Sequence, residues 1–279
     1  MPMMPIPGAE IHYVQCGEGE PLLLIPGLGL DHGYYRRAIP LLEQRLAVTA
    51  VDPRGIGGSS KGPGPYTVEG WADDLAGFID ALKRGPMHVL GSSLGGAMAL
   101  ALAVRHPRTV KSLIVVGGFS ELDRAARLNF SLRVRLIEKL GLNAEVADYM
   151  GLWTMTRAFI NSEEGYAQMR ANQQIIRKNS AELYLAFVRS VLAWDRALPG
   201  QESERKFTAE LKAIRAPTLV VCSDNDQLIP LEASRIIVRE IPGARLMVMR
   251  GAGHIPFIER PQEAADVVVD FVISTATRV

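Results

Sequence analysis

The residues best suited to chemistry lie in the short run 91–95, Gly-Ser-Ser-Leu-Gly. Ser93 has a glycine two residues before it and another two residues after it, whereas Ser92 has Leu90 at the earlier position. An apolar run precedes this segment and a helical run follows it, which is typical of a sharp strand–turn–helix with the serine exposed at its tip. Glycines are needed there because β-carbons would collide where strand and helix nearly touch. Ser93 is therefore the candidate nucleophile.

A serine hydroxyl is a weak nucleophile at neutral pH, so it needs a base within hydrogen-bond distance and an acid that orients the base. His254 lies in a glycine-rich turn after a strand-like run, and Asp224 and Asp226 lie in a polar loop after a β-branched run. The carboxyl ends of strands are where open α/β sheets bind ligands. The order serine, acid, histidine predicts His254 as the general base and one of the two aspartates as its partner.

Composition narrows the class of function. The chain has 31 Lys and Arg residues against 30 Asp and Glu residues, so no global field would recruit nucleic acid or an anionic membrane. Cys16 and Cys222 provide neither a disulfide framework nor a spaced metal motif. The start of the chain lacks the pattern of a secretory signal, and no apolar stretch approaches the roughly 20 residues that span a bilayer. We expect a soluble cytoplasmic protein that needs no metal or cofactor and acts on a small molecule.

Short β-rich runs alternate with helical patterns, which predicts a mainly parallel sheet with helices on both faces. The predicted strands are residues 10–15, 21–25, 46–51, 87–90, 110–116, 218–222 and 244–249. The predicted helices are residues 34–44, 68–83, 94–106, 231–239 and 261–274.

The alternation stops in the middle of the chain, where the pattern is helical throughout and aromatic residues are scattered among charged ones. We predict a core of residues 1–119 and 210–279, interrupted by a helical cap of residues 120–209. The polar stretch 200–206 is predicted to be the exposed return from cap to core. Most cap aromatics should pack internally, and Trp153 is our candidate for one that lines the pocket.

Five segments in a fixed order resemble the α/β-hydrolase fold family, and the likeness covers nearly the whole chain. They are the Pro-Gly-Leu-Gly loop at 26–29, the Asp-Pro-Arg-Gly-Ile-Gly-Gly-Ser run at 52–59, the run 91–95, Asp226 with Pro230, and Gly253-His254 followed by Glu259-Arg260-Pro261.

The resemblance implies an α/β-hydrolase fold with a cap between the sixth and seventh strands as the family counts them, here after the predicted strand 110–116. It favours Asp226 over Asp224, because a proline four residues later matches the family's acid loop. It also implies an oxyanion hole formed by the main-chain N–H groups of Leu94 and Leu28, with Gly27 next to the substrate. The 52–59 run is interpreted as scaffold beneath the site, not as a second site.

The resemblance implies hydrolysis of a small carboxylic ester or lactone through an acyl-serine intermediate. The chain looks most similar to the group of 3-oxoadipate enol-lactonases and small carboxylesterases. Carbon–carbon bond hydrolases of aromatic degradation and cofactor-free perhydrolases share the same motifs and remain alternatives. A ligand receptor without catalytic activity is the alternative from a different class. The sequence gives no indication of the oligomeric state or of the substrate's acyl length.

Overall fold

The computed structural model describes residues 2–62, 64, 66–194 and 207–277, and these form one eight-stranded sheet. The strands are β1 (Met3–Ile6), β2 (Ala9–Cys16), β3 (Glu20–Ile25), β4 (Leu46–Val51), β5 (Met87–Ser92), β6 (Val110–Val116), β7 (Thr218–Ser223) and β8 (Arg245–Met249). Their spatial order is β1-β2-β4-β3-β5-β6-β7-β8. The pairs β1–β2 and β2–β4 are antiparallel, and the pairs from β4 to β8 are parallel.

Strand β1 was not predicted from the sequence. It is four residues long, contains Pro5, and lies at the edge of the sheet, where a residue without an N–H is tolerated. The seven predicted strands are all present, with ends that move by no more than two residues.

The helices are α1 (Ile39–Leu42), α2 (Val68–Leu82), α3 (Leu94–Arg105), α4 (Arg124–Leu140), α5 (Ala144–Thr154), α6 (Arg157–Ile160), α7 (Glu163–Arg177), α8 (Ala181–Trp194), α9 (Leu231–Glu240), α10 (Pro256–Glu259) and α11 (Pro261–Ala276). One predicted helix, residues 34–44, is wrong as a single element. A 3₁₀ turn at His32–Tyr35 is followed by the short α1. Pro40 explains the break, because its ring would clash with a carbonyl one turn earlier in a continuous helix.

The sheet is buried on both faces, so its central strands alternate between two apolar cores. Leu23 of β3 packs in a core with α2 and α3, whereas its neighbours Leu22 and Leu24 belong to the opposite core with α11. Strands covered on both sides are continuous apolar runs, which is why β3 to β7 were visible in the sequence.

Helices α4 to α8 lie between β6 and β7, where the cap was predicted. The cap rests on the core through side-chain hydrogen bonds. Asn179 donates to the carbonyl of Gly29 at 2.8 Å, and Arg36 donates to Asn172 at 2.8 Å. The limits of the cap at 120 and 209 stay a prediction, and the expected return at 200–206 lies outside the described residues. In the part of the chain that is described, no helix is both long and apolar enough to cross a membrane.

Candidate active site

Ser93 occupies the turn between β5 and α3 in a strained conformation, with φ 55° and ψ −119°. Such a backbone conformation costs of order 1–3 kcal/mol in a residue other than glycine and clusters at functional sites. A β-carbon on Gly91 would lie 2.0 Å from the carbonyl oxygen of Gly95, and one on Gly95 would lie 2.3 Å from that of Ile25. The two glycines therefore allow the close approach of strand and helix that the sequence pattern indicated.

Ser93, His254 and Asp226 form a continuous chain of hydrogen bonds. The Oγ of Ser93 lies 2.8 Å from Nε2 of His254, and Nδ1 of the same ring lies 2.7 Å from Oδ2 of Asp226. The other carboxylate oxygen accepts the main-chain N–H groups of Leu228 and Ile229, both at 2.9 Å. The side chains of Ser93, His254 and Asp226 are all buried. The arrangement holds the imidazole in one orientation, with its second nitrogen directed at the serine.

The structure distinguishes the two aspartates of the acid loop. Asp224 is exposed and accepts the N–H of Gly251 at 2.6 Å, on the outer side of the loop. Asp226 follows two residues later and is the one that reaches His254.

The loop that carries His254 is bound to the cap. The main-chain N–H of His254 donates to the carbonyl of Thr154 at 2.9 Å. Both oxygens of Glu259 accept from Thr156, one from its N–H and one from its hydroxyl, each at 2.9 Å. Burial raises the pKa of Glu259 despite these bonds. The end of α5 and the segment that follows it thus help to position the imidazole, through contacts that no sequence pattern indicated.

Leu28 and Leu94, the predicted oxyanion-hole residues, belong to two segments that flank Ser93. A β-carbon on Gly27 would be 3.2 Å from Cβ of Ser93, so the loop after β3 runs directly beside the nucleophile. Leu94 is the first residue of α3, where main-chain N–H groups have no partner inside the helix. Among the loop and turn hydrogen bonds of the described residues, none uses the N–H of Leu28 or Leu94. Both donors are thus free of those main-chain bonds, as an oxyanion hole requires, and that role stays a prediction.

Ser93 and His254 line a cavity under the cap with about 630 Å³ of space, its open mouth included. The lining is mostly apolar and includes Gly27 and Leu28. Polar side chains that were not among the predicted site residues also line it: Tyr34, Arg133, Thr154, Asn172, Gln173 and Tyr184. They are spread over core loop and cap helices, and nothing in their local sequence distinguishes them from ordinary helix residues.

The placement of Trp153 corrects our prediction. Its side chain is 36% exposed and packs at an angle against Tyr149, with ring centres 6.4 Å apart, and it does not line the cavity. The side of α5 that faces the cavity repeats at the helical spacing and carries Ala147, Met150, Gly151 and Thr154. Residue 153 falls outside this stripe, and the tryptophan therefore projects outward.

A second cluster of titratable residues lies in the scaffold run. Each oxygen of the Asp52 carboxylate accepts two hydrogen bonds: Nδ1 and the N–H of His32 on one, Nδ1 of His12 and the N–H of Gly58 on the other. Among the described residues these three side chains are the group whose donor atoms could approach a metal, all within 4.8 Å of one another. Since the carboxylate is already saturated with N–H donors, the cluster fits a brace between loops better than a metal site.

Comparison with known proteins agrees with this geometry. A family model described as the alpha/beta hydrolase fold matches residues 20–261. The chain is 31% identical to 2-hydroxymuconate semialdehyde hydrolase of a Pseudomonas species, over 95% of this chain and 90% of the relative. It is 27% identical to the putative carbamate hydrolase RutD of Pantoea ananatis, over 92% of this chain and 90% of the relative. Among solved structures, the enol-lactonase of Burkholderia xenovorans superposes with a TM-score of 0.85 at 25% identity. The match covers 98% of this chain and 100% of the enol-lactonase.

Proposed function

This chain belongs to the α/β-hydrolase fold family, and on that premise we propose that it is a serine hydrolase of small carboxylic esters or lactones. The observation that carries the proposal is the position of His254 between Ser93 and Asp226, with contacts of 2.8 and 2.7 Å. A histidine in that position can remove the hydroxyl proton as the serine attacks, and Asp226 stabilises the imidazolium that forms.

In the first half of the reaction, Oγ of Ser93 attacks the substrate carbonyl carbon while Nε2 of His254 takes its proton. The carbonyl oxygen becomes an oxyanion, which in this proposal accepts hydrogen bonds from the N–H groups of Leu28 and Leu94. When the tetrahedral intermediate collapses, the bond to the leaving alcohol breaks and His254 returns the proton to that alcohol. Ser93 is left as an ester of the acyl group.

In the second half, a water molecule replaces the alcohol. His254 accepts a proton from the water as its oxygen attacks the acyl carbon, and the same two N–H groups meet the second oxyanion. The carboxylic acid leaves and Ser93 recovers its proton. A lactone follows the same path, except that its leaving alcohol stays attached to the acyl group.

The names of two relatives support a second candidate. One relative at 31% identity is named for a semialdehyde of hydroxymuconate and another for a substituted hexadienoic acid, names consistent with cleavage of a carbon–carbon bond beside a carbonyl. The relatives named for carbamates suggest an acyl group attached to nitrogen. A panel of p-nitrophenyl esters of graded length, lactones, a carbamate and a dienone substrate distinguishes them, and the substrate with the highest kcat/KM identifies the class.

Labelling with a fluorophosphonate probe tests the nucleophile. We expect wild type to be labelled at one serine and Ser93→Ala to lose both the label and ester hydrolysis, by about a millionfold in kcat. Ser92→Ala is the matched control, because Ser92 bonds to the Tyr34 hydroxyl at 3.1 Å, and not to the imidazole. It should keep its label. Folded wild-type protein that takes no label would contradict the proposal and support the ligand receptor.

A further inference from the structure

Arg133 of α4 is a buried cation in the cap. Its side chain is 4% exposed, its Nε donates to Asn129 at 2.7 Å, and its guanidinium carbon lies 5.0 Å from the centre of the Phe130 ring. Its Nη2 is buried and has no hydrogen-bond partner among the residues that the structure describes. The side chain of Tyr184, another residue of the cavity lining, also interacts with this guanidinium. A buried donor of a charged group that stays unsatisfied costs free energy of folding, so the free Nη2 needs an explanation outside packing.

The acidic side chains of α4 and α5 that form ion pairs do so with other arginines. Glu138 pairs with Arg189 at 2.7 Å, and Asp148 pairs with Arg170 at 2.6 Å. Of the described residues that line the cavity, none is an aspartate or a glutamate, while Arg133 is one of them. The cap side of the cavity therefore carries a positive charge that the described chain does not neutralise.

Arg133 and Ser93 line the same cavity, so one small molecule can contact both. We propose that Arg133 binds a carboxylate of the substrate, which makes the preferred substrate an ester or lactone that also bears a free carboxylate. A planar guanidinium matches a carboxylate in shape and charge, and its Nε is already fixed by Asn129, which orients the remaining nitrogens. A neutral carbonyl could accept from Nη2, but it would leave the charge of Arg133 without compensation.

This inference rests on the proposed function, since it names the substrate class of the same site. The first test compares two p-nitrophenyl esters of adipic acid that differ only in the far end of the acyl chain, a carboxylate or a primary amide. In wild type we expect kcat/KM to be roughly 10- to 100-fold higher for the carboxylate, the range of a hydrogen bond to a charged group. Arg133→Met should remove this preference, and it should still cleave the p-nitrophenyl ester whose far end is an amide.

Two further variants control the comparison. Arg135→Met removes an exposed arginine from the same helix and should keep the full preference. Arg133→Lys keeps the charge without the planar donor group and should keep part of it. Arg133→Met should still unfold cooperatively, because methionine fills much of the same space without a buried charge. A wild type that cleaves both esters at the same rate, or an Arg133→Met variant that retains the preference, would overturn the proposal.

A binding measurement separates this proposal from the proposed function. Calorimetric titration of wild type with glutarate should show binding that glutaramide does not show and that Arg133→Met loses. If neither ester is cleaved but glutarate binds through Arg133, the hydrolase proposal fails and the carboxylate site stands. If both esters are cleaved equally and glutarate does not bind, the hydrolase proposal stands and the carboxylate site fails.

Discussion

Two clusters in this molecule place a histidine against a buried aspartate with the same short contact. His254 lies 2.7 Å from Asp226, and His12 lies 2.7 Å from Asp52. Both contacts use Nδ1 of the ring and both carboxylates are almost fully buried. By these measures the two pairs are equivalent, yet we assign chemistry to one of them and a bracing role to the other.

The difference lies in what surrounds each pair. His254 presents its second nitrogen to Ser93, whose strained turn holds the hydroxyl beside a cavity under the cap. Asp52 instead receives a second imidazole from His32 and the N–H of Gly58, so that β2 and the loops after β3 and β4 are tied together. A histidine–carboxylate contact therefore does not identify an active site by itself. A reactive group at the far nitrogen, facing space for a substrate, is what distinguishes it.

The largest expected effect is on the rate of the Asp226→Asn variant. The amide fits the same space but favours the wrong tautomer of His254, so kcat/KM for an activated ester should fall by roughly 10⁴, the size of effect known for this change in a serine protease triad. Asp224→Asn, two residues away in the same loop, should stay close to wild type. If the Asp224 variant were the inactive one, the acid would be misassigned.

Asp52→Asn should have the opposite effect to Asp226→Asn: it should lower the stability of the fold and leave the rate of ester hydrolysis close to wild type. An asparagine presents an NH₂ group to N–H donors that now converge on a carboxylate, and buried donors left unsatisfied lower the free energy of unfolding by about 2 kcal/mol. In a protein of this size that corresponds to a fall in Tm of roughly 5 °C. Thermal unfolding and ester hydrolysis, measured on the same preparation, check the pair of outcomes. A folded variant with unchanged Tm and a lost rate would place Asp52 in the chemistry.

The smallest expected effect is a change of fold stability with pH, which comes from the contact between His32 and Asp52. The hydrogen bond to Asp52 raises the pKa of His32, although burial opposes it, and Lys178 and Asp31 also act on the ring. Burial alone would raise the pKa of Asp52, but the bonds from His32 and Gly58 lower it, so this carboxylate stays ionised at neutral pH. A raised histidine pKa stabilises the fold fully below the unfolded value of about 6.5, and the gain is lost as pH rises through the folded value.

Thermal unfolding of wild type and His32→Gln between about pH 6 and 9 tests this sign. The wild type should be the more stable at the acidic end, by at most about 1 kcal/mol because the ring is partly exposed, and the difference should shrink as pH rises. A difference that grows with pH would mean that His32 acts on the fold as a neutral ring.

Much of the fold and of the proposed triad was visible in the sequence. The strands from β3 to β7 are apolar on both faces, so they appear as continuous hydrophobic runs. The turn at Ser93 needs small residues at fixed spacing, and the aspartate and histidine follow strand ends. Edge strand β1 was not predicted, because it is short and contains a proline. The predicted helix at 34–44 was too long, because it continued across Pro40.

The sequence by itself determined what depends on local backbone geometry: the elbow around Ser93, the order of the three residues of the hydrogen-bonded chain, and the position of the cap between β6 and β7. Only the tertiary structure decided which side of each cap helix faces the cavity. That choice turned Trp153 outward and Arg133 inward, and it bound Thr154 to His254 and Thr156 to Glu259. The physical reason is that an orientation within the cap follows from packing between helices distant in sequence, which no short pattern records.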